Sequence, residues 1–278
     1  FTGEELRDAA FDNTAFSARL LREPVVARCT TTATVDVPEL VGDDGAVALP
    51  AETVDLTAAC TVLASWDGRY DVDSRGAVLW RELLAAVRRD VPGGLGALWA
   101  EPFDPARPVA TPAGLAPAGP EGDPVLSALG RAVQTLATAG WAVDVPLGDV
   151  QYALRTDPRI GLHGGPGGDG LTNAVGYDDP SSTSEPMPDA GERLIPGSDL
   201  RPGGYPVDEG TSFVMAVDFT GDAPRAWVLL TYGQTGDRNS ELFDVQTRRF
   251  RDKDWRDAAF TEEAILADPA LTEVAVSS

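Results

Sequence analysis

Apolar side chains recur at helical spacing through most of the first 150 residues. This pattern predicts a mainly helical region over residues 1–150. Pro24 is expected to end the first helical pattern, and Pro92, followed by two glycines, the third. The predicted stripes are Leu6, Ala9, Phe11, Phe16, Leu20 and Leu21; Leu56, Cys60 and Leu63; Val78, Leu79, Leu83 and Val87; and Val125, Leu129, Val133 and Leu136.

Residues that favour helix N-termini stand in front of these stripes. Thr2 and Glu5 have the spacing of a capping box, in which a side chain and a backbone amide satisfy each other reciprocally. Asp55 and Ser74 precede the second and third stripes, and Asp123, followed by proline, precedes the fourth. We therefore expect each of these residues to cap a helix.

Residues 151–211 differ from the helical region, since from about residue 159 to 210 glycine, proline, aspartate and serine are crowded together. The stretch shows neither the two-residue period of a strand nor the 3.6-residue period of a helix. About fifty residues without regular structure are unusual inside a compact domain. Two interpretations stay open: the segment is disordered, or it covers a partner surface that this chain does not contain.

The C-terminal part, residues 212–278, has the pattern of strands. Residues 212–219 (SFVMAVDF) and 225–232 (RAWVLLTY) are rich in β-formers, and the turn residues 221–224 between them predict a β-hairpin. Thr261 is expected to cap a short last helix. With helices first and strands last, the predicted fold class is α+β.

Charge excludes several classes of function. The chain has 278 residues, with 44 Asp and Glu against 22 Lys and Arg, which gives a formal net charge of −22. Nucleic-acid binding needs a positive surface, and anionic membranes repel a negative one, so neither partner is expected. A hydrophobic content of 43% is enough for a packed core, so the chain is predicted to be globular.

Cys29 and Cys60 are the only cysteines, and they fall in different predicted helices. One intramolecular disulfide is possible, which would stabilise the fold by about 3–4 kcal/mol in the chain-entropy model. Alternatively, both are buried thiols that pack as small apolar side chains. Together with His163, the single histidine, they supply too few ligands for a metal site, and none is predicted.

His163 is also the only imidazole that could act as a general base. Its neighbours are leucine and glycines, and the chain has no G-x-S-x-G motif, so a structural histidine in a loop is the better interpretation. Residues 165–170 (GPGGDG) match the dinucleotide-binding pattern by letter. The flanking residues predict neither the strand nor the helix that such a site requires, so no cofactor is expected.

An acidic stretch follows the second helical stripe. Asp67, Asp71 and Asp73 suggest a calcium loop, but valines occupy its sixth and twelfth positions, where glycine and glutamate belong. An acidic turn between helices is the preferred interpretation. Asp43 and Asp44 are expected to form an exposed turn before a glycine.

A series of short segments is spread in order along nearly the whole chain. They are residues 11–18 (FDNTAFSA), 59–68 (ACTVLASWDG), 73–80 (DSRGAVLW), 146–150 (PLGDV), 162–165 (LHGG), 212–219 (SFVMAVDF) and 229–234 (LLTYGQ), with Gln246-Thr247, Trp255 and Phe260-Thr261. In their order and spacing, these segments resemble the penicillin acylase family, most closely its acyl-homoserine-lactone and aculeacin-type lipopeptide acylases.

The resemblance implies an N-terminal-nucleophile hydrolase. In that family a precursor cuts itself into an α and a β subunit, and the first residue of β, usually serine, attacks an amide carbonyl with its own α-amino group as base. Phe1 has no nucleophilic atom, and the matching segments begin after those that carry the family's catalytic residues. This chain is therefore expected to be the C-terminal part of a β subunit, with no catalytic residue of its own.

The resemblance also sets expectations for partners and location. The expected partners are the α subunit, the N-terminal part of β and an acylated small molecule, and the strands would complete an αββα sandwich. Such acylases are secreted, which favours the disulfide between Cys29 and Cys60, and the segment 151–211 would pack on the rest of the enzyme.

The sequence departs from the family pattern at one stretch, where Leu242 and Val245 replace a histidine and an aspartate. This leaves the acyl and amine preference open. The rival hypothesis is a secreted binding protein that stands alone. Its recognition surface would consist of the Gly/Pro segment and four tryptophans: Trp66, Trp80, Trp99 and Trp141.

Overall fold

The computed structural model describes residues 2–42, 44–120, 122–177, 191–233, 235–269, 271–272 and 274–275. Phe1 and Asp43, for which the sequence made predictions, lie outside the described residues. The chain divides into two compact units, a larger one of residues 13–210 and a smaller one of residues 1–12 and 211–278. The mixture of helices and strands agrees with the α+β prediction.

The elements are numbered here in chain order. The helices are α1 (Gly3–Ala9), α2 (Phe16–Cys29), α3 (Thr57–Ser65), α4 (Ala77–Asp90), α5 (Pro124–Ala139), α6 (Leu147–Val150), α7 (Val245–Arg251) and α8 (Glu262–Leu266). The strands are β1 (Thr34–Val37), β2 (Leu40–Val41), β3 (Val47–Leu49), β4 (Glu52–Asp55), β5 (Trp99–Glu101), β6 (Ala113–Leu115), β7 (Gln151–Ala153), β8 (Val175–Gly176), β9 (Tyr205–Val207), β10 (Glu209–Gly210), β11 (Phe213–Asp218), β12 (Arg225–Leu230) and β13 (Arg256–Ala258).

The core of the larger unit is built around α4, which packs along α5. Most of α4 is buried, including both the apolar stripe predicted from the sequence and the charged Arg81 and Glu82. Helix α5 begins as predicted, because the Asp123 carboxylate accepts hydrogen bonds from the amides of Val125 and Leu126. A helix buried on most of its circumference must find partners for its charged side chains within the fold.

Helix α2 corrects one predicted boundary. The pattern from Leu6 to Leu21 belongs to two helices, and α2 continues through Pro24 to Cys29. Proline removes one backbone donor and usually breaks a helix. Here Leu21, Val25 and Cys29 are almost fully buried on one face, and this packing maintains the helix beyond the proline.

The start of α4 corrects a second prediction. Ser74 does not cap the helix, because its hydroxyl instead donates to the Asp67 carboxylate at 3.0 Å. The N-cap is Gly76, whose φ of 111° lies in the left-handed region. Asp55 is not the N-cap of α3 either: that position is Leu56, and the Asp55 carboxylate, one residue before it, accepts from the Thr57 amide at 2.8 Å.

We expect Gly76→Ala to be strongly destabilising. A Cβ at this position would lie 2.8 Å from Cβ of the buried Trp66, in addition to the strain of a positive φ. Gly140→Ala is the matched control, because Gly140 has a φ of 78° and no heavy atom within 4 Å of its built Cβ. Both variants should lose about 1–2 kcal/mol to the strained backbone, and Gly76→Ala about 1–3 kcal/mol more to overpacking. Equal midpoints in urea unfolding would contradict this account.

Short strands that the sequence pattern did not predict also occur between the helices of the mainly helical region. β1 pairs with β4, β2 with β3, β5 with β6 and β8 with β10, all antiparallel, and β7 pairs with β9 in parallel. Within the described parts of residues 151–211, Ile160, Leu162 and Tyr205 are buried within the larger unit. This segment therefore contributes to the core of its own chain, and its packing on a partner stays a prediction.

The smaller unit contains the predicted hairpin. β11 and β12 are antiparallel, with Phe213 opposite Leu230 and Asp218 opposite Arg225, and β13 pairs with the other side of β12. The predicted capping box of Thr2 and Glu5 opens α1, and Thr261 caps α8 through the Ala264 amide. These three local predictions are confirmed.

Candidate functional site

Arg81 is a buried cation held between two aromatic rings. Its guanidinium carbon lies 4.3 Å from the ring centroid of Tyr177 and 4.1 Å from that of Tyr205. Nη1 donates to the Tyr177 hydroxyl and to Oε1 of Gln151 at 3.1 Å, and Nη2 lies 3.5 Å from an Asp199 carboxylate oxygen. Cation–π contacts and hydrogen bonds together replace the water that burial removes from the charge.

Glu82, the next residue of α4, is buried beside this cation. Its carboxylate accepts hydrogen bonds from the hydroxyls of Tyr205 and Ser198. Burial raises the pKa of Glu82, and these hydrogen bonds and the Arg81 charge offset only part of the rise. Burial also raises the pKa of Tyr177 to about 12, although the Arg81 charge opposes that shift.

The same neighbours decide the protonation of Arg81. Burial acts to lower the pKa of Arg81, but the Tyr177 and Tyr205 phenols and the Glu82 carboxylate outweigh it, and the pKa is raised. The guanidinium is therefore a permanent positive charge inside the larger unit.

We predict that Glu82→Gln removes a pH dependence of stability. Above the ordinary glutamate pKa of 4.5, the raised pKa lets the native state keep a proton that the unfolded state has released. The free energy of unfolding of the wild type should therefore fall as pH rises through this window. The stability of Glu82→Gln relative to wild type should rise with pH in urea titrations. A difference between the two proteins that stays constant with pH would contradict the assignment.

Asp169 forms a second polar group near the N-terminus of α2. Its Oδ1 accepts from the Ser17 amide at 2.7 Å, and the Trp80 indole donates to the Ser17 hydroxyl at 2.9 Å. Burial raises the pKa of Asp169, and the hydrogen bonds from Ser17 offset only part of this rise. This arrangement fixes residues 167–170 against α2 and α4.

A cavity of about 490 Å³ lies beside these groups. The face of α4 that carries Arg81, Leu84, Ala85 and Arg88 forms one wall. The remaining apolar wall consists of Phe16, Leu95, Leu98, Trp99, Pro112 and Val175. The volume is within the range of small-molecule sites, about 300–1,000 Å³, and the lining has their usual mixture of apolar surface and a few polar groups.

Other sequence-predicted residues lie elsewhere. Cys29 and Cys60, for which a disulfide and two thiols were both open, form a disulfide with Cα atoms 5.7 Å apart, at the junction of α2 and α3. His163 is buried, with 1% of its surface exposed. Residues 165–170 contain a short 3-10 turn, Gly167–Asp169, in place of the strand-to-helix turn of a dinucleotide site.

The acidic stretch after α3 forms a hydrogen-bonded turn. Asp67 accepts from the Arg69 amide and the Ser74 hydroxyl, and Asp71 accepts from the Asn13 side chain at 2.6 Å. Across the described residues, no group of three or more His, Cys, Asp or Glu side chains is arranged to hold a metal ion. No helix in the described part of the chain has the length and apolar character of a membrane span.

Sequence reasoning missed the groups that line the cavity. Arg81 and Glu82 stand inside a correctly predicted helix, and their position between apolar residues of the stripe was the available signal. Their partners are Gln151, Tyr177 and Tyr205, which belong to the irregular segment of residues 151–211. No local pattern therefore connects that segment with the helix that carries Arg81 and Glu82. Trp66 and Trp80, which the rival hypothesis placed on a recognition surface, are 2% and 1% exposed and belong to the core.

Comparison with known proteins assigns the family. The penicillin amidase family model matches residues 1–267, and the chain belongs to that family. Aculeacin-A acylase of Actinoplanes utahensis is 35% identical over 273 residues, which covers 98% of this chain and 29% of that protein. The acyl-homoserine lactone acylase PvdQ of Pseudomonas savastanoi pv. phaseolicola is 31% identical over 278 residues, covering 99% of this chain and 30% of that protein.

A second PvdQ acylase, of Pseudomonas syringae pv. tomato, is 31% identical over 269 residues and covers 96% of this chain. The same match covers 30% of that relative. The chain thus spans less than a third of the length of these acylases, while they match nearly all of it.

Proposed function

We propose that this chain is the C-terminal part of the β subunit of a secreted acylase. The assembled enzyme would hydrolyse the amide of an N-acylated small molecule, namely a lipopeptide, an acyl-homoserine lactone or a penicillin. An N-terminal serine from another part of the precursor would form the acyl-enzyme, with its α-amino group as base. The chain itself would support the catalytic part and have no activity alone.

The observation that carries the proposal is the pattern of coverage. Acylases match this chain over 98–99% of its length, whereas the chain accounts for only 29–30% of theirs. Because nearly all of this chain aligns with less than a third of each relative, its extent is that expected of one part of such an enzyme. The resemblance to the family's β subunit, segment by segment, gives the piece its proposed position.

Exposed apolar residues on the smaller unit support the proposal that it contacts a partner. Phe213 and Met215 alternate along β11 and are 52% and 53% exposed, and Phe219 just beyond the strand is 76% exposed. Among the described residues β11 pairs only with β12, so one side of the strand is an edge. Exposed apolar residues on a strand edge favour pairing with another chain. We assign this surface to the remaining part of the precursor.

The disulfide supports the proposed location. Disulfides persist in oxidising compartments and are rare in the cytosol. The bond between Cys29 and Cys60 therefore fits an extracellular or periplasmic enzyme.

Amide hydrolysis by the whole protein tests the proposal. The assembled enzyme, expressed as its full precursor, and this chain alone would be incubated with aculeacin A, a long-chain acyl-homoserine lactone and penicillin G, and the released amine would be measured. We expect hydrolysis of at least one substrate by the assembly and none by the chain. Replacing the β-subunit's first serine by alanine should abolish it. Activity of the chain alone, or of the serine variant, would contradict the proposal.

A further inference from the structure

The segment of residues 259–275, here called the arm, lies on the surface of the smaller unit. None of its described residues is buried, and α8 lies within it. Such a concentration of exposed apolar side chains marks a contact surface, because soluble proteins usually expose these residues singly. The large apolar side chains of the arm are Phe260, Ile265, Leu266, Leu271 and Val274.

The arm has a complete signal for the start of a helix but lacks the burial that maintains one. Thr261 caps α8 through the Ala264 amide at 3.1 Å, and two glutamates follow in the first turn, where the helix dipole favours negative charge. Phe260 and Ile265 occupy the two positions of a hydrophobic staple. A helix of five residues is unstable in water unless it packs on an apolar surface. The described part of this chain does not supply that surface.

Charge separates the possible partners of the arm. Residues 259–278 include four acidic side chains and no Lys, Arg or His. A second copy of the chain would bring another net charge of −22, so repulsion opposes contact between two copies. An apolar groove with Lys or Arg at its rim would instead attract the arm.

The family comparison connects α8 with the rest of an acylase. The penicillin amidase family model continues through α8 to residue 267, so this helix belongs to the architecture that the family shares. More than two thirds of the length of the related acylases lies outside this chain.

We propose that the arm docks, with α8 as a helix, into an apolar groove rimmed by Lys or Arg on the remaining part of the precursor. The inference rests on the proposed function, because that function supplies the rest of the enzyme. It adds a second contact to the one assigned to β11.

Hydrogen exchange tests the docking, measured by mass spectrometry on the assembled enzyme expressed as its full precursor. Residues 260–269 are followed in the native enzyme and in the same enzyme unfolded in urea. A docked α8 should exchange about 100-fold more slowly than the unfolded segment. Exchange within about tenfold of the unfolded rate, as for a single solvated turn, would overturn the inference. Protection that increases with enzyme concentration would assign the contact to a second copy and also overturn it.

Two variants locate the apolar contact. Leu266→Asp places a charge in it and should return residues 260–269 to fast exchange. Val109→Asp is the matched control, because Val109 is fully exposed in the larger unit, and it should leave the exchange slow. Both variants replace exposed side chains, so both should fold. If the two variants exchange alike, the inference is overturned.

Salt tests the basic rim. Raising the ionic strength screens the attraction and should speed exchange in α8. Helix α1 is the control, because its first turn also carries two glutamates behind a threonine cap, and its exchange should change less. An equal effect of salt on both helices would contradict the basic rim. Should Leu266→Asp fail to assemble, the unmodified enzyme and this comparison decide.

These results are separable from amide hydrolysis. An enzyme that hydrolyses its substrate while α8 exchanges freely would overturn the docking of the arm alone. A protected α8 in an assembly that hydrolyses none of the substrates would support the docking and contradict the proposed function.

Discussion

Replacement of Arg81 by methionine is expected to lower the free energy of unfolding by about 3–5 kcal/mol, because it removes a buried cation and leaves the groups that surround it without their partner. The substitution keeps the length of the side chain but leaves the Glu82 carboxylate without its neighbouring cation. It also removes both aromatic stacking contacts and the hydrogen bond to Gln151. Urea unfolding followed by circular dichroism measures the loss.

Two variants make the Arg81 result specific. Arg75→Met is the matched control, because Arg75 and its partner Asp144 are both more than half exposed, and such a pair contributes about 0–1 kcal/mol. Arg81→Lys keeps the charge but not the planar fork, so an intermediate loss is expected. If Arg81→Met were no less stable than Arg75→Met, the buried cluster would not hold the fold together.

The same variant should loosen a particular region. Gln151 and Tyr205 lie on β7 and β9, which pair in parallel, and Arg81 contacts both strands. Hydrogen exchange in Arg81→Met should therefore accelerate first in these two strands. Uniform acceleration over the larger unit would indicate a global loss without a special role for this contact.

Loss of the disulfide is expected to lower the free energy of unfolding by a similar amount. Cys29 and Cys60 are 31 residues apart in sequence, and closing a loop of this size stabilises a protein by about 3–4 kcal/mol in the chain-entropy model. Both cysteines are almost fully buried where α2 meets α3, so the cross-link joins two core helices.

Two ways of removing the bond should agree. Reduction of the wild type and the double substitution Cys29→Ala with Cys60→Ala should give similar urea midpoints, both well below that of the oxidised protein. The double variant should then be insensitive to reductant. An oxidised and a reduced wild type of equal stability would contradict the structural role of the bond.

Elements with local signals were predictable from the sequence. Asp123 and the following proline start α5, Thr261 starts α8, and the turn 221–224 separates β11 from β12, each through contacts between near neighbours in the chain. The helix through Pro24 was not predictable, because its stability comes from burial of Leu21 and Val25 in the core.

The short strands show the same limit. β1 and β4 have only four residues each, and their place in the fold depends on α5. At Gly130 of α5, a built Cβ would lie 2.7 Å from side-chain methyls of both Val35 and Val37. Only glycine lets α5 approach β1 this closely. The sequence around Gly130 contains no signal that a strand packs against the helix there.

The site depended on contacts over a still longer range. Arg81 is 70 residues from Gln151 and 96 from Tyr177 in the chain. A periodic pattern can place Arg81 on a helix, but it contains no information about partners in an aperiodic segment. Family resemblance, in contrast, was readable because it rests on the order of segments along the chain.

Mass spectrometry of the purified native protein tests the central claim most directly. We predict that under native conditions the chain is found together with a small α chain and a segment that begins with serine, and that denaturation separates whatever has been cleaved. A folded, monomeric species of 29.2 kDa that consists of this chain alone would contradict the proposal that it is part of an acylase assembly.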